Sequence, residues 1–147
     1  MNKSYLRLRW LFNVQLLSSA FFILLPSKAY TEDWPQAQGT NRDNKSGETE
    51  LLDKWPEGGP ELLWTFRNSG VGYSGPAVVG DCVYTMGGRN GLTELLAVDA
   101  TSGKLRWSKI VSHKIFDFEG NSWGAGPRAT PTVTDGMVYA LAGDGEL

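Results

Sequence analysis

Hydrophobic patterning divides the chain near Leu62. Beyond it, short apolar or alternating runs recur between breaks rich in glycine, asparagine and aspartate. Runs of this length with such separators predict strands at 62–66 (LLWTF), 76–79 (PAVV), 82–87 (CVYTMG), 93–99 (TELLAVD), 104–111 (KLRWSKIV), 131–134 (PTVT) and 137–142 (MVYALA). The breaks are Gly80-Asp81, a GRNG stretch, an ATSG stretch and Asp135-Gly136. No window of helical length sustains a 3.6-residue apolar period, so the fold class predicted is all-β with little helix. Residues 30–61 follow neither period. They are polar and rich in Gly, Pro, Asn and Glu, which predicts an extended arm with turns, anchored by Trp34 and Trp55.

The strands repeat. GPAVVGDCVYTMGG (75–88) aligns without a gap on TPTVTDGMVYALAG (130–143), an offset of 55 residues. Pro76 falls on Pro131, Val78 on Val133, Val83 on Val138, Tyr84 on Tyr139 and Gly88 on Gly143. The dipeptides Gly80-Asp81 and Asp135-Gly136 also coincide, and both suit a two-residue hairpin turn that needs positive φ. A shorter echo sets ELLWTF (61–66) on KLRWSK (104–109), with Trp64 on Trp107. One unit therefore reads as a four-stranded antiparallel meander. Units of this size in tandem predict a β-propeller, whose blades bury their faces against neighbours. The chain holds an outer strand (62–66), one whole blade (76–111) and half of another (131–147). A stop inside a unit reads as the N-terminal piece of a longer protein. A short chain that completes a ring by oligomerising is the alternative.

The start of the chain changes the picture of where the protein resides. Lys3, Arg7 and Arg9 precede an uncharged apolar run, WLFNVQLLSSAFFILLP, and then Ser27 and Ala29 at −3 and −1 of a cleavage point. That anatomy predicts a signal peptide over 1–29, with an uncleaved anchor as the alternative. No later stretch is long and apolar enough to span a bilayer. Four of the 14 basic residues (Lys3, Arg7, Arg9, Lys28) and none of the 16 acidic ones precede Tyr30, which leaves 10 against 16, a net −6. Such a balance, with no basic cluster, argues against nucleic acid and anionic lipid as partners. The single cysteine, Cys82, allows no intrachain disulfide and sits in an apolar run as a buried thiol. Asn44-Lys45-Ser46 fits the glycosylation triplet, which matters only in a eukaryotic secretory host.

The stretch AVDATSGKLRW (97–107) invites a test for chemistry. A phosphate loop needs G-x-x-x-x-G-K-[ST] between a strand and a helix. Here Val98 stands where the first glycine belongs, Leu105 follows Lys104, and the context is strand to strand. The turn reading accounts for each residue. Asp99 accepts hydrogen bonds from turn N–H groups, Gly103 takes a left-handed conformation, and Lys104 opens the next strand. Trp107 offers a ring to the next blade and its indole N–H to a carbonyl, and Trp64 does the same one blade earlier.

With those residues in view, SGPAVVGDCVYTMG…LLAVDATSGKLRW resembles the PQQ-like β-propeller repeat. Such repeats occur in quinoprotein alcohol dehydrogenases and in the outer-membrane assembly lipoprotein of the BamB type. The likeness covers about 62–147 and implies a ring of about eight four-stranded blades. DWPQAQGTNRD…LLDKWPEGGPELLW is similar to the opening of large exported proteins with these repeats, although Gln38-Gly39-Thr40 replaces their usual Arg-Gly-Pro. The dehydrogenase branch implies a quinone over calcium, a vicinal Cys-Cys disulfide and clustered oxygen ligands. This chain has one cysteine, and its densest polar group is Asp117, Glu119 and Asn121, read as a solvated loop. His113, the only histidine, has no Ser or Cys partner in view.

The candidate binding residues lie elsewhere. Between Trp107 and Pro131 stand 23 residues, against 11 between Trp64 and Pro76. Outer-to-inner connections of this kind lie at the mouth of a propeller's central channel. Arg128, Trp123 and Tyr73 are therefore predicted to line that rim, where an arginine with aromatics suits an anionic group or a partner's carboxylates. The alternative is that Arg128 pairs with a carboxylate or carbonyl between blades. Two functions follow: a non-catalytic exported scaffold in the periplasm or cell envelope that binds a protein or ligand, with no cofactor evident, or a dehydrogenase of alcohols or sugars that uses PQQ and calcium.

Overall fold

The computed structural model describes residues 31–49, 51–118, 120 and 122–147; the predicted leader lies outside them. The described residues contain no helix. Strands β1 (Ala77–Val79), β2 (Cys82–Arg89), β3 (Leu92–Asp99) and β4 (Leu105–Ser112) form one antiparallel sheet in sequence order. Strands β5 (Thr132–Thr134) and β6 (Met137–Tyr139) form a second, two-stranded sheet.

The turns explain this order. Asn90 and Gly91 both take positive φ (51° and 81°), the signature of a type I′ hairpin, whose twist matches that of the strands it joins. The loop is thus tighter than the GRNG break suggests, and Gly88 and Arg89 extend β2. Asp135 and Gly136 also both take positive φ, whereas in the equivalent first turn only Gly80 does. The 55-residue repeat holds at the level of register. Ala77 pairs with Tyr84, Val78 with Val83 and Val79 with Cys82; Thr132 pairs with Tyr139, Val133 with Val138 and Thr134 with Met137.

Register decides which side chains share a face. The pairs Tyr84–Ala97 and Met86–Leu95 turn one face of the first sheet toward the second. There Met86, Leu95 and Ala140 form a buried cluster, with Tyr84, Val111, Ala129 and Val138 packed on it. The other face carries the pairs Val83–Val98 and Thr85–Leu96, with Trp64 and Phe66 beside it across a cleft of about 260 Å³. Leu96 is fully buried. At the far end of β4, Ser112 Oγ donates to buried Asp144 Oδ2 (2.7 Å), and Lys114 Nζ lies 3.4 Å from the same oxygen. Ser112 holds the Asp144 carboxyl below the usual carboxylate range, against the upward push of burial.

Several expected elements differ. Residues 62–66 form no strand, because among the described residues no backbone runs alongside to complete a ladder. The last predicted strand shortens to Met137–Tyr139, and β4 opens at Leu105 because the Lys104 carbonyl accepts from Asp99 N–H (2.8 Å) to close the turn. Trp55 does not anchor the arm; it is 69% exposed. Trp34 does, exchanging two backbone hydrogen bonds with Val78 (2.7 and 2.8 Å). Pro35 then accepts from Val133 N–H (2.8 Å), so successive arm residues bridge equivalent positions of the two sheets. Asp33 Oδ1 accepts from Gly80 N–H (2.8 Å) at the first hairpin.

Candidate functional site

The two ends of the first sheet do different work. At the end with the β1–β2 and β3–β4 turns, Asp99 behaves as the turn reading predicts. Its Oδ1 accepts from Thr101 N–H (3.1 Å), Ser102 N–H (2.7 Å) and the Ser102 hydroxyl (2.8 Å). Gly103 has φ +67°, and a Cβ there would stand 2.6 Å from the Trp64 ring. The Trp64 indole donates to the Ala100 carbonyl (2.8 Å), so this tryptophan docks face-on against the turn of the following sheet.

Trp107 departs from the expectation. It lies on its own sheet, its ring 6.0 Å from that of Tyr84, and is 38% exposed. Sequence reading also missed Arg106. Its guanidinium grips both Asp81 oxygens (3.0 and 2.7 Å) and Asp99 Oδ2 (2.6 Å), joining two turns. The Arg106 hydrogen bonds hold both carboxyls well below the usual carboxylate range and push the guanidinium's own value up. The signal available in the sequence was an arginine alternating with the Asp99 turn, too common a pattern to single out.

The opposite end carries the predicted binding residues, and the structure brings all three together. Tyr73 donates its hydroxyl to the Trp123 carbonyl. Arg128 Cζ lies 5.3 Å from the Tyr73 ring centroid and 6.0 Å from that of Phe118, which sequence reading did not single out. Arg128 Nη2 donates to the Gly124 carbonyl (2.8 Å). The guanidinium thus lies within reach of two rings, which attract it through their negative faces. Tyr73 (55%), Phe118 (52%) and Trp123 (72%) are all well exposed. Beside them runs a cleft of about 290 Å³ lined by Phe116, Phe118, Arg128, Ala129, Leu141 and Ala142.

This end has an order that follows from the repeat. Tyr73 and Arg128 are 55 residues apart, so they are the same position in consecutive units. Their neighbours touch in the same register. Tyr73 N–H donates to the Pro127 carbonyl (2.8 Å), and the Ser74 hydroxyl donates to the Ala129 carbonyl (2.8 Å). A Cβ on Gly126 would stand 2.7 Å from the Val71 carbonyl oxygen, so the two lead-in segments run backbone against backbone.

A family model described as outer membrane protein assembly factor BamB matches residues 54–147. The chain belongs to that family. BamB-type repeats account for the hairpin register shared by the two sheets, and the all-β fold is that of consecutive propeller units. No curated protein and no solved structure matches the chain. Among the described residues no helix is long and apolar enough to cross a membrane.

Among the described residues no three His, Cys, Asp or Glu side chains converge to hold a metal ion. Of the polar group at 117–121, Glu119 and Asn121 lie outside the described residues. Cys82 is a buried free thiol in β2, and His113 is exposed after β4.

Proposed function

We propose that this chain is a non-catalytic, exported β-propeller scaffold that holds a partner protein at the end where Tyr73, Trp123 and Arg128 meet. One observation carries the reading: residues from two consecutive repeat units converge there into an exposed aromatic cluster around one oriented arginine. Aromatic and arginine side chains dominate the energetics of protein interfaces because they bring large area and fixed geometry at small entropic cost. The opposite end is engaged internally, its arginine and aspartates closed on one another. The BamB family assignment supports an envelope setting, and the apolar segment before Tyr30 supports export.

The test is site-specific photocrosslinking in the cells that make the protein. A crosslinker at Trp123 is expected to give one discrete protein adduct, and one at Thr101, in the internally closed turn, none. Equal labelling at both positions overturns the reading. So does PQQ- and Ca²⁺-dependent dye reduction by the purified protein, which instead establishes the dehydrogenase.

A further inference from the structure

We infer that the Arg128 cluster and its adjoining cleft recognise an extended peptide in which an aromatic or large aliphatic side chain stands next to a carboxylate. The inference rests on the scaffold reading and names the chemistry of the partner. The cleft of about 290 Å³ is lined chiefly by apolar groups, from Phe116, Phe118, Ala129, Leu141 and Ala142, which suits one or two apolar side chains. Arg128 stands at its lip. The ion pairs of the described residues engage Arg89, Arg106 and Lys114 but not Arg128. Among the described residues its contacts are instead two aromatic rings and the Gly124 carbonyl, none of which carries a charge to neutralise it. A guanidinium so held presents a flat fork of donors that matches a carboxylate in bidentate fashion.

Charge narrows the partner further. Arg128 sets one positive charge at the lip of a chain that carries a net −6 from Tyr30 onward, so the attraction is local and suits a single carboxylate in an otherwise uncharged segment. The shape decides between a peptide and a small molecule. Half-exposed Tyr73, Phe118 and Leu141 flank the cleft, so it lies open along its side. Small ligands need enclosure of most of their surface, whereas a peptide anchors one side chain and lays its backbone across the rim. The repeat sets the geometry: positions 73 and 128 are one site in consecutive units, filled in one case by a ring and in the other by the cation that stacks on it.

The experiment is a fluorescence anisotropy titration of the full chain. The probe is a fluorescein-labelled hexapeptide with one phenylalanine followed by one aspartate among glycines and serines. Binding is expected, about tenfold weaker when the peptide aspartate is replaced by asparagine and about tenfold weaker for Arg128→Gln. The two losses should not multiply, because both remove one contact. Arg128→Lys keeps the charge without the fork and should recover only part of the affinity, and Phe118→Ala should weaken the acid and amide peptides alike. Equal affinity for both peptides, no response to Arg128→Gln, no binding at millimolar protein, or phenylacetate binding as tightly as the peptide each overturns the inference. A crosslinked adduct at Trp123 that persists when the peptide fails to bind leaves the scaffold reading standing.

Discussion

At the scale of single residues, Trp64 and Gly103 show how one contact joins two units. Gly103 sits at φ +67°, and its missing Cβ is the space the Trp64 ring occupies. Gly103→Ala therefore combines a left-handed backbone, costing about 1 kcal/mol in an L-residue, with a collision against the ring. Trp64→Phe removes the indole bond to the Ala100 carbonyl, worth about 1 kcal/mol net, together with part of the ring surface that faces Gly103. In denaturant titrations of the full chain, Gly103→Ala is expected to lower stability more than Trp64→Phe. In the double variant the losses should fall short of their sum, since both act on one contact.

At the scale of elements, Arg106 lashes the β1–β2 turn to the β3–β4 turn through Asp81 and Asp99. Both carboxyls titrate below their ordinary value, so the folded state binds fewer protons than the unfolded chain as pH drops. The stabilisation is complete above the unfolded value of about 4 and is lost as pH falls through the lower folded values. Acid titration should therefore show a loss of stability below about pH 4 that is smaller in Asp99→Asn. A variant with an acid limb as steep as the wild type would show that other carboxyls govern it. Ser102 contributes a second restraint on Asp99, so Arg106→Leu should weaken the acid limb without abolishing it.

At the scale of the whole molecule, the exposed faces matter most. Strand β4 is an edge, with Leu105, Trp107 and Ile110 exposed, and beside it lies a groove of about 410 Å³ lined by Leu95, Trp107, Val111, Val138 and Ala140 among others. Leu62 and Leu63 are exposed immediately before the docked Trp64. An open edge with apolar flanks pairs readily with other chains. The 147-residue chain expressed by itself is expected to self-associate, seen as a mass above the monomer in light scattering. A monomer that unfolds in one cooperative step would refute this.

Sequence alone determined the local chemistry: hairpin turns at Gly80-Asp81 and Asp135-Gly136, strand order, the 55-residue repeat and the turn role of Asp99. These are legible because a turn depends on backbone φ and side chains within a few residues, and because a repeat states the same register twice. The long connection before Pro131 singled out Trp123 and Arg128, and the lead-in to Pro76 singled out Tyr73, but neither disclosed that the three meet. Tertiary structure alone decided that residues 62–66 stay out of a sheet, that Trp34 rather than Trp55 ties down the arm, and that Phe118 joins Arg128. It also decided that Arg106 closes on two aspartates while Arg128 lies over the Tyr73 and Phe118 rings. Each of these depends on which backbone or ring arrives from a distant segment. Period and composition do not record that, because the same side chain satisfies either environment until packing chooses one.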